Sequence, residues 1–371
     1  MTRWAWAEAS AAAIEHNVRV IAATVSPAQV WVAVKAEGYG HGAVLAARAA
    51  QAAGAHGLCV ALVQEGVALR KAGITGPILV LTEQPADALR AAVEHGLSTT
   101  VYSVAQVALL EACGAHEHPV HLKIDTGMRR VGVAEVDAVA VADAIAASPA
   151  TALAGVFTHL AVADEPDNPF TDLQLDRFDA VVAALAAAGH RPPLVHAANS
   201  AGALAHPRAR YDMVRPGIGV YGISSGPAVD ELFAELRPAL TLHARVAHVK
   251  RVAAGERISY GLRHTFERDA TVATLPIGYA DGVPRRLYEA GGTVLIGGKH
   301  RPIVGVVTMD QVMVDCGDDH VQFGDEAVLI GTQGANTITA SDWAASLGTI
   351  AYEIVCGISP RIERRPARDS L

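Results

Sequence analysis

Lys35 is the side chain in this sequence best suited to nucleophilic chemistry. It follows the apolar run VWVAV at 30–34 and precedes the segment AEGYGHG at 36–42. Burial at the end of such a strand lowers the pKa of an ammonium group, and the neutral amine can attack a carbonyl or an aldehyde. The phenol of Tyr39 and the small residues beside it are suited to contact an anionic group. The alternative is a lysine that extends from a strand end into water.

A second group of polar side chains lies in the segment HLKIDTGMRRVG at 121–132. Lys123 and Asp125 share one face of the predicted strand, because side chains alternate along a strand. They form either a buried ion pair in the core or part of a functional site. Arg130 follows a glycine-bearing turn, where its fork of N–H donors suits a phenolate or a carboxylate.

Further polar residues follow apolar runs in the middle of the chain. His159 ends the run GVFT, although a single histidine is more often a packed residue than a ligand. The motif HAANSAG places Asn199 and Ser200 at a predicted helix start, where free backbone N–H groups attract phosphate. Either residue is alternatively only a helix cap. Arg215 lies beside small residues in VRPGIGVYG.

The last third of the chain contains three loop-like motifs. RISYG places Tyr260 at a turn, and PIGYADG and VGVVTMDQ carry polar residues beside glycine. Each of the three is also compatible with an ordinary hairpin turn. The sequence contains no HExxH motif and no Walker loop, and GYGHG lacks the spacing of a dinucleotide-binding fingerprint. Nothing in the sequence demands a metal.

Short apolar runs alternate with alanine-rich stretches over the first two-thirds of the chain. Apolar runs of this length are typical of parallel strands that are covered on both faces, and strands that alternate with helices predict a parallel sheet. The predicted strands are 29–34, 57–62, 77–81, 98–102, 119–124, 153–158, 193–197 and 211–215. Predicted helices include 43–53, 63–72, 103–113 and 171–189.

Eight strand–helix repeats predict a (β/α)8 TIM-like barrel, and a doubly wound open sheet is the alternative. The candidate residues favour the barrel because they follow different strands: Lys35 the first, Arg130 the fifth, His159 the sixth and Arg215 the eighth. Catalytic residues of barrel enzymes lie at this C-terminal rim, and phosphate groups are often bound after the last two strands. An open sheet would collect them at one switch point.

The pattern changes after about Pro238. The runs at 240–250, 270–277, 302–308 and 312–316 alternate apolar with polar or β-branched residues, with glycine and proline turns between them. This pattern predicts a mostly antiparallel β domain with one helix near 340–347. We therefore expect an α/β chain with two domains: a barrel at 8–236, and a C-terminal β domain at 237–371 that residues 1–7 join.

Composition excludes several classes of protein. Hydrophobic residues make up 51% of the 371 residues, but no apolar run reaches the roughly 20 residues that cross a bilayer, and Glu8 and Glu15 interrupt any signal-like segment. Four scattered cysteines form no CxxC pair, so neither a disulfide framework nor a zinc site is indicated. A net charge of −8 argues against nucleic acid as a partner. We expect a cytoplasmic enzyme.

Several motifs in the same order resemble the alanine racemase family along nearly the whole chain. The motifs are VKAEGYGHG, HLKIDTGM, THLAVADE, HAANSAG, VRPGIGVYG, ISYG, PIGYADG, VGVVTMDQ and AYEIVCGISPRI. The resemblance implies a pyridoxal-phosphate enzyme with an N-terminal barrel and a C-terminal β domain. It also implies a cytoplasmic homodimer with shared active sites that interconverts L-alanine and D-alanine and supplies D-alanine for peptidoglycan.

The resemblance also implies roles for individual residues. Lys35 would carry pyridoxal phosphate as an internal aldimine and act as the base for D-alanine. Tyr260, from the partner subunit, would be the opposite base and act on L-alanine. His159 would lie against the pyridine ring and Arg215 would face its nitrogen. The implied cofactor-binding set is Lys35, Tyr39, His159, Asn199, Ser200, Arg215, Gly217, Ile218 and Tyr352.

Substrate contacts and a modification are implied in the same way. Arg130 would reach the cofactor oxygen and the substrate, and the Met309 backbone would contact the substrate carboxylate. Lys123 matches a lysine that is carbamylated in some members, and the carbamate would present an anion to Arg130. The corridor through which substrate reaches the site would contain Asp164, Tyr279 and Arg285.

Two positions depart from the family pattern, and other functions remain as alternatives. Val306 stands where many members have an arginine in the corridor, and Arg129 stands where glycine is frequent, so the charge of the corridor and the substrate range are in doubt. The main alternatives are a broader racemase that acts on serine and a non-catalytic pyridoxal-phosphate-binding barrel. A barrel decarboxylase or dehydratase fits ISYG and Arg215 less well, and a metal-dependent hydrolase that uses some of the 16 histidines is more distant.

Overall fold

The computed structural model describes residues 4–367, which divide into two compact units. The barrel unit consists of Ala12–Tyr39 and Ala43–Pro238. The β unit consists of residues 4–11, Gly40–Gly42 and residues 239–367. Residues 1–3 and 368–371, which the predicted domains include, lie outside the described residues.

Eight parallel strands of the barrel unit pair in chain order, and the last strand pairs with the first. This closure confirms the predicted barrel, since an open sheet would leave both outer strands unpaired. Most residues of these strands are buried, as expected for parallel strands that are covered on both faces. After β1 (Ala5–Ala9), which belongs to the β unit, they are β2 (Gln29–Ala33), β3 (Gly57–Val60), β4 (Ile78–Val80), β5 (Ser98–Val101), β6 (His118–Lys123), β7 (Thr151–Phe157), β8 (Leu194–His196) and β9 (Met213–Val214).

Helices connect these strands. They are α1 (Ala11–Val25), the short left-handed segment α2 (Lys35–Tyr39), α3 (Ala43–Ala52), α4 (Val63–Lys71), α5 (Ala86–Glu94), α6 (Val104–Ala112), α7 (Ala138–Ala147), α8 (Phe170–Ala187) and α9 (Ser200–Ala205). Several strands end earlier than predicted. The predicted strand at 57–62 stops at Val60 because the backbone N–H groups of Ala61 and Leu62 donate to the Glu65 carboxylate instead of to a neighbouring strand.

The β unit is mostly antiparallel, as predicted. It comprises β10 (Leu240–Arg245), β11 (His248–Val252), β12 (Arg257–Ile258), β13 (His264–Thr265), β14 (Ala270–Leu275), β15 (Thr293–Ile296), β16 (Lys299–Pro302), β17 (Val312–Asp315), β18 (Glu326–Gln333), β19 (Asn336–Ile338), β20 (Glu363–Pro366), α10 (Ala340–Leu347) and α11 (Ala351–Cys356). A seven-stranded sheet has the order β16-β15-β18-β10-β1-β20, with β19 paired to β18. Strands β11, β14 and β17 form a second sheet, and β12 pairs with β13.

Two strand predictions in the β unit are wrong. The run at 240–250 divides into β10 and β11, which belong to different sheets. The strand predicted at 302–308 ends almost where it was expected to begin, because β16 stops at Pro302 and Gly305 adopts a φ of 70°. The residues that follow form a loop, in which the Thr308 N–H donates to the Gln311 carbonyl at 3.0 Å. Helix α11 was not predicted.

Short 3-10 turns complete the two units. They are Glu135–Asp137, Pro207–Ala209, Ile218–Tyr221, Pro227–Phe233, Tyr260–Leu262, Tyr279–Asp281 and Arg285–Leu287. Within residues 4–367, no helix combines the length and the apolar character that crossing a membrane requires.

Candidate active site

Lys35 lies at the C-terminal rim of the barrel, two residues after the end of β2, and is half-buried. The residues that follow form a left-handed turn. Ala36, Glu37, Gly38 and Tyr39 have φ values of 52°, 55°, 60° and 52°. Glycine adopts this conformation without steric cost, but each of the other three is strained by contact between its Cβ and the following carbonyl. Strain of this kind persists only where the surroundings enforce it, and it concentrates at functional sites.

The turn places the phenol of Tyr39 against a loop at the end of β9, which we call the Gly217 loop (residues 216–219). A Cβ atom at Gly217 would overlap with the Tyr39 hydroxyl, so only glycine permits this approach. The Ser200 hydroxyl accepts hydrogen bonds from the backbone N–H groups of Gly217 at 2.9 Å and Gly219 at 3.2 Å. Ile218 is buried within the loop. Four predicted phosphate contacts, from Tyr39, Ser200, Gly217 and Ile218, therefore lie together.

Asn199 has the role that the sequence left as its alternative. It is the N-cap of α9, and its side-chain oxygen accepts from the Gly202 N–H at 2.9 Å. This hydrogen bond holds the start of α9, so that the adjacent Ser200 hydroxyl reaches the Gly217 loop. The contact to the loop is made by Ser200, and the cofactor contact implied for Asn199 stays a prediction.

Four cationic side chains gather at this rim: Lys35, Lys123, Arg130 and Arg215, which we call the cation cluster. Lys123 is only 4% exposed and lies 5.3 Å above the Phe157 ring. Burial, followed by repulsion from Arg215, Arg130 and Lys35, lowers the pKa of Lys123 to about 7. Arg130 and Lys123 line one small cavity together with Asp125 and His159.

The ion pair considered between Lys123 and Asp125 does not form. Asp125 Oδ1 instead accepts from the backbone N–H groups of Gly127 and Arg129, both at 3.0 Å. The carboxylate therefore organises the turn that leads to Arg130. Arg129 has a φ of 56°, a conformation that favours glycine, which accounts physically for glycine being frequent there in the resembling family.

Arg215 is held rigidly inside the barrel. One of its terminal nitrogens donates to the carbonyls of Thr158 at 2.8 Å and Ala197 at 3.0 Å, and the other donates to Nδ1 of His196. Its guanidinium carbon lies 5.0 Å from the centre of the Phe157 ring. Burial lowers its pKa to about 10, so that Arg215 stays charged at neutral pH.

Two histidines continue the contact with Arg215. Arginine only donates, so Nδ1 of His196 must accept, and the His196 proton resides on Nε2. That nitrogen lies 2.9 Å from Nδ1 of His121. Burial, and then the charge of Arg215, lower the pKa values of both histidines, that of His121 to about 3. A Cβ at Gly155 would overlap with the His121 ring, so the absence of a side chain at Gly155 leaves the space that this ring occupies.

His159 is half-buried beside the cation cluster. Desolvation, and then the charges of Arg215, Arg130, Lys123 and Lys35, lower its pKa well below the usual range for histidine. The ring is therefore neutral at physiological pH. Its backbone carbonyl accepts from Gln174 at 3.1 Å, which holds the chain at the end of β7. A neutral ring suits stacking better than ion pairing.

Tyr260 lies in the β unit on an exposed turn, and 73% of its surface is accessible. Ser259, Gly261 and Leu262 around it have φ values of 64°, 73° and 46°. The Ser259 hydroxyl donates to the Val306 carbonyl at 2.7 Å, which ties this turn to the VGVVTMDQ loop. Tyr260 lines a cleft of about 610 Å³. The turn joins the antiparallel strands β12 and β13, so the hairpin turn that the sequence left as an alternative is present, and the role of Tyr260 as a base stays a prediction.

The motifs PIGYADG and VGVVTMDQ meet within the β unit. The N–H groups of Tyr279 and Ala280 donate to the carbonyls of Thr308 at 2.9 Å and Met309 at 3.1 Å. A Cβ at Gly278 would come within 2.5 Å of the Met309 carbonyl carbon, so only glycine allows the two loops to approach this closely. Met309 itself is 52% exposed.

The architecture, the strained lysine turn and the ordered motifs coincide with one family along the chain. A family model described as alanine racemase, N-terminal domain, matches residues 9–225, and one described as alanine racemase, C-terminal domain, matches residues 239–366. The chain belongs to the alanine racemase family.

Individual alanine racemases resemble it over nearly their whole length. The alanine racemase of Symbiobacterium thermophilum is 48% identical over 363 residues, covering 97% of this chain and 96% of that protein. The alanine racemase of Thermobifida fusca is 43% identical over 370 residues, covering 98% of each. The crystal structure of alanine racemase from Bacillus anthracis with bound L-Ala-P gives a TM-score of 0.95 at 37% identity, covering 100% of this chain and 97% of that one.

The remaining residues implied by the alanine racemase family occupy separate places. Tyr352 is half-buried in α11, and Tyr279 and Arg285 line one cleft of about 450 Å³ in the β unit. Asp164 lies in the barrel unit beside Gly226, where a Cβ would come within 3.2 Å of its carboxylate. Val306, which replaces the arginine of many alanine racemases, is 2% exposed.

Sequence reasoning missed several residues that support the site. Gly155 and Glu65 gave no motif signal, and His121 appeared only as the first letter of HLKIDTGM, because their roles depend on neighbours more than twenty residues away. His196 appeared only as the first letter of HAANSAG. The alternation of β6 could have identified His121 and Lys123 as residues of one strand face, two positions apart, that enter the same interior.

Proposed function

We propose that this member of the alanine racemase family interconverts L-alanine and D-alanine with pyridoxal phosphate and supplies D-alanine for peptidoglycan. The observation that carries the proposal is the gathering of a lysine, a fixed arginine and an amide-lined loop at one rim of the barrel. Full-length similarity to proteins named alanine racemase supports alanine as the substrate. A cytoplasmic location stays a prediction from the sequence.

The residues at this rim fit pyridoxal phosphate. The cation cluster is charged positively, and Asp125, which lines the same small cavity as Lys123 and Arg130, is already engaged with two backbone N–H groups. An anionic ligand would therefore relieve the repulsion. The Gly217 loop, the Ser200 hydroxyl that accepts from two of its N–H groups and the Tyr39 hydroxyl lie together, and a phosphate could take the place of Ser200 as their acceptor. In this proposal Tyr352 adds a further phosphate contact, and His159 stacks on the ring.

The cofactor, when bound, withdraws electron density from the α-carbon of an amino acid and so makes its proton removable. Racemisation needs one group to take the proton from one face and another to return a proton to the opposite face. We assign these roles to Lys35, which acts on D-alanine, and to Tyr260, which acts on L-alanine. The barrel unit thus holds the cofactor and the β unit contributes the second base.

Arg215 would face the ring nitrogen of the cofactor. Two carbonyls and His196 hold its guanidinium, so that it remains a donor in a fixed orientation. Because Arg215 does not readily give up a proton, it would leave the ring nitrogen of a bound cofactor unprotonated and so would moderate the electron withdrawal. This limits side reactions such as transamination. Arg130 and the Met309 backbone would bind the substrate, and Asp164, Tyr279 and Arg285 would line its corridor.

Lys123 is proposed to be carbamylated. Its amine is half neutral near pH 7, and only a neutral amine can attack carbon dioxide. The resulting carbamate would replace a repelled cation with an anion beside Arg130. Arg130 would then be oriented by an ion pair toward the cofactor and substrate, which the repulsion between two cations cannot achieve.

A homodimer with shared sites is part of the proposal. The high exposure of Tyr260 in the single chain supports it, since a catalytic tyrosine needs a site around it. Mixing inactive Lys35→Ala and Tyr260→Phe subunits should restore part of the activity, because some mixed dimers contain one intact site. No recovery after demonstrated subunit exchange would argue for self-contained sites.

The function is tested by a racemisation assay across amino acids, combined with the visible spectrum. We expect alanine turnover together with the absorbance of a lysine-bound cofactor, and Lys35→Ala should abolish both. A protein that takes up no pyridoxal phosphate would overturn the proposal. Faster turnover of serine than of alanine would instead contradict the assignment of the substrate.

A further inference from the structure

We propose that Glu65 is a positioning residue that holds the left-handed turn after Lys35 and thereby directs Lys35 and Tyr39 into the site. The proposal rests on the proposed function in one respect, namely that Lys35 carries the cofactor. The observations that carry it are the hydrogen bonds of one carboxylate and the backbone conformation of the turn.

The turn does not hold its conformation by its own preference. Ala36 (φ 52°, ψ 53°) and Glu37 (φ 55°, ψ 43°) are in the left-handed region, which is unfavourable for residues that carry a Cβ. Within the segment, the Gly38 N–H donates to the Val34 carbonyl at 2.9 Å, and the Glu37 carboxylate accepts from Ala43 N–H at 3.3 Å. These local hydrogen bonds do not reach Ala36, the first left-handed residue.

Glu65 contacts Ala36 from another element. Its Oε1 accepts from the Ala36 N–H at 2.7 Å, while its Oε2 accepts from the N–H groups of Ala61 at 2.8 Å and Leu62 at 3.1 Å. The second oxygen is thus fixed by the end of β3 and the start of α4. The first oxygen is thereby presented to Ala36 in one direction. The carboxylate thus accepts from three N–H donors. A glutamine at this position has only one acceptor oxygen, so it could accept either from Ala36 or from Ala61 and Leu62, but not from both sides.

The ordinary role of such a glutamate is to cap its own helix. Glu65 is the third residue of α4, and its hydrogen bond to the Leu62 N–H is half of a capping box. Capping, however, uses Oε2. The hydrogen bond that Oε1 accepts from the Ala36 N–H joins residues 29 positions apart and contributes nothing to the N-terminal cap of α4. The two roles belong to different oxygens and can be separated by experiment.

The Ala36 N–H belongs to the peptide that links Lys35 to Ala36. Because this peptide is planar, a hydrogen bond to its nitrogen fixes the orientation of the Lys35 carbonyl as well. The direction in which the Lys35 side chain leaves the backbone is thereby set. The same turn, continued through Gly38, places the Tyr39 hydroxyl against Gly217. Loss of the hydrogen bond should therefore loosen both contacts to the cofactor at once.

Glu83 provides a matched control. Its carboxylate also follows a barrel strand and accepts from the next strand end, namely from the Tyr102 N–H at 2.7 Å and the Ser103 hydroxyl at 2.9 Å. These hydrogen bonds join the ends of β4 and β5 and not the turn after Lys35. Glu83→Gln should therefore reproduce the loss of stability expected of Glu65→Gln without its effect on the lysine.

The experiment is a titration of cofactor-free protein with pyridoxal phosphate, followed by borohydride reduction and peptide mass spectrometry at Lys35. Wild type, Glu65→Gln and Glu83→Gln are compared, with melting temperatures measured in parallel. A hydrogen bond to a charged group is worth a factor of about ten to a hundred in an equilibrium constant. We expect Glu65→Gln to bind the cofactor about tenfold or more weakly, and Glu83→Gln to bind it like wild type.

Ala36→Gly distinguishes positioning from general stability. Glycine adopts the left-handed conformation without strain. Ala36→Gly combined with Glu65→Gln should therefore regain part of the lost cofactor affinity. Ala36→Gly combined with Glu83→Gln should regain none of the lost stability. Equal cofactor affinity in wild type and Glu65→Gln would overturn the proposal, as would a Glu65→Gln protein that fails to fold while Glu83→Gln folds. A wild-type protein that takes up no cofactor refutes the proposed function itself, and the titration reports this separately.

Discussion

Lys123 should form a carbamate with carbon dioxide at neutral pH. Its side chain is 4% exposed, and its pKa of about 7 follows first from burial and then from Arg215, Arg130 and Lys35. At pH 7 about half of the amine is neutral, compared with a few in ten thousand for an ordinary lysine with a pKa of about 10.4. The reactive fraction is therefore on the order of a thousandfold larger. The amine nitrogen bonds to the carbon of CO2, one proton is released, and the neighbouring cations stabilise the anion.

The assay is a 13C NMR spectrum of the protein equilibrated with 13C-bicarbonate. We expect one carbamate signal, which increases as the pH rises through about 7 because the neutral amine becomes more abundant. Lys123→Met should lack this signal. Lys71→Met, which removes an exposed lysine from α4, should keep it. A signal that survives in Lys123→Met, or a wild-type spectrum without any carbamate, would refute the reasoning about burial and charge.

Three further outcomes follow from the structure. Tyr260→Phe removes the proposed second base and should lower the turnover of L-alanine by roughly a hundredfold to ten-thousandfold. Cofactor uptake, measured from the visible spectrum, should stay unchanged. Undiminished turnover would exclude the tyrosine as a base. Arg215→Glu should protonate the ring nitrogen and increase transamination, measured as pyruvate, and an unchanged product spectrum would contradict the role of the arginine. Burial lowers the pKa of His118 to about 4, below its unfolded value of about 6.5. The unfolded state therefore binds the proton first as the pH drops. The free energy of unfolding should fall by about 3 kcal/mol between these two pKa values. In urea unfolding, His118→Leu should lack this part of the pH dependence. His116→Leu, at an exposed position two residues away, should keep it. If the free energy of unfolding changes equally with pH in the two variants, the assignment to His118 is wrong.

The barrel was predictable because its signal is local and repeated. Each strand is a short apolar run, since both of its faces are buried, and each is followed by a helix-forming stretch. The placement of Lys35, His159 and Arg215 after different strands then indicated a common rim. In the β unit the same reasoning failed at 302–308, where Pro302 and Gly305 interrupt an apolar run that reads as a strand.

The arrangement within the site was less predictable. Spacing by two placed Lys123 and Asp125 on one strand face, but the carboxylate turns to the backbone of its own loop and leaves the lysine among cations. Nothing around His121 in the sequence indicates that Gly155 makes room for its ring. Likewise, Glu65 reads as the start of a helix, and its hydrogen bond to Ala36 depends on how β2 and β3 lie side by side.

By itself, the sequence determined the class of fold, the family and the lysine around which the site is built, because these depend on periodicity and on the order of motifs. Only the tertiary structure decided which side chains meet. Closure of the barrel and the register of its strands bring Lys123 and Arg130, from β6 and the loop after it, together with Arg215 after β9, and they place Glu65 against Ala36. The pKa of Lys123 and the orientation of Lys35 depend on these distant neighbours, which no local pattern encodes.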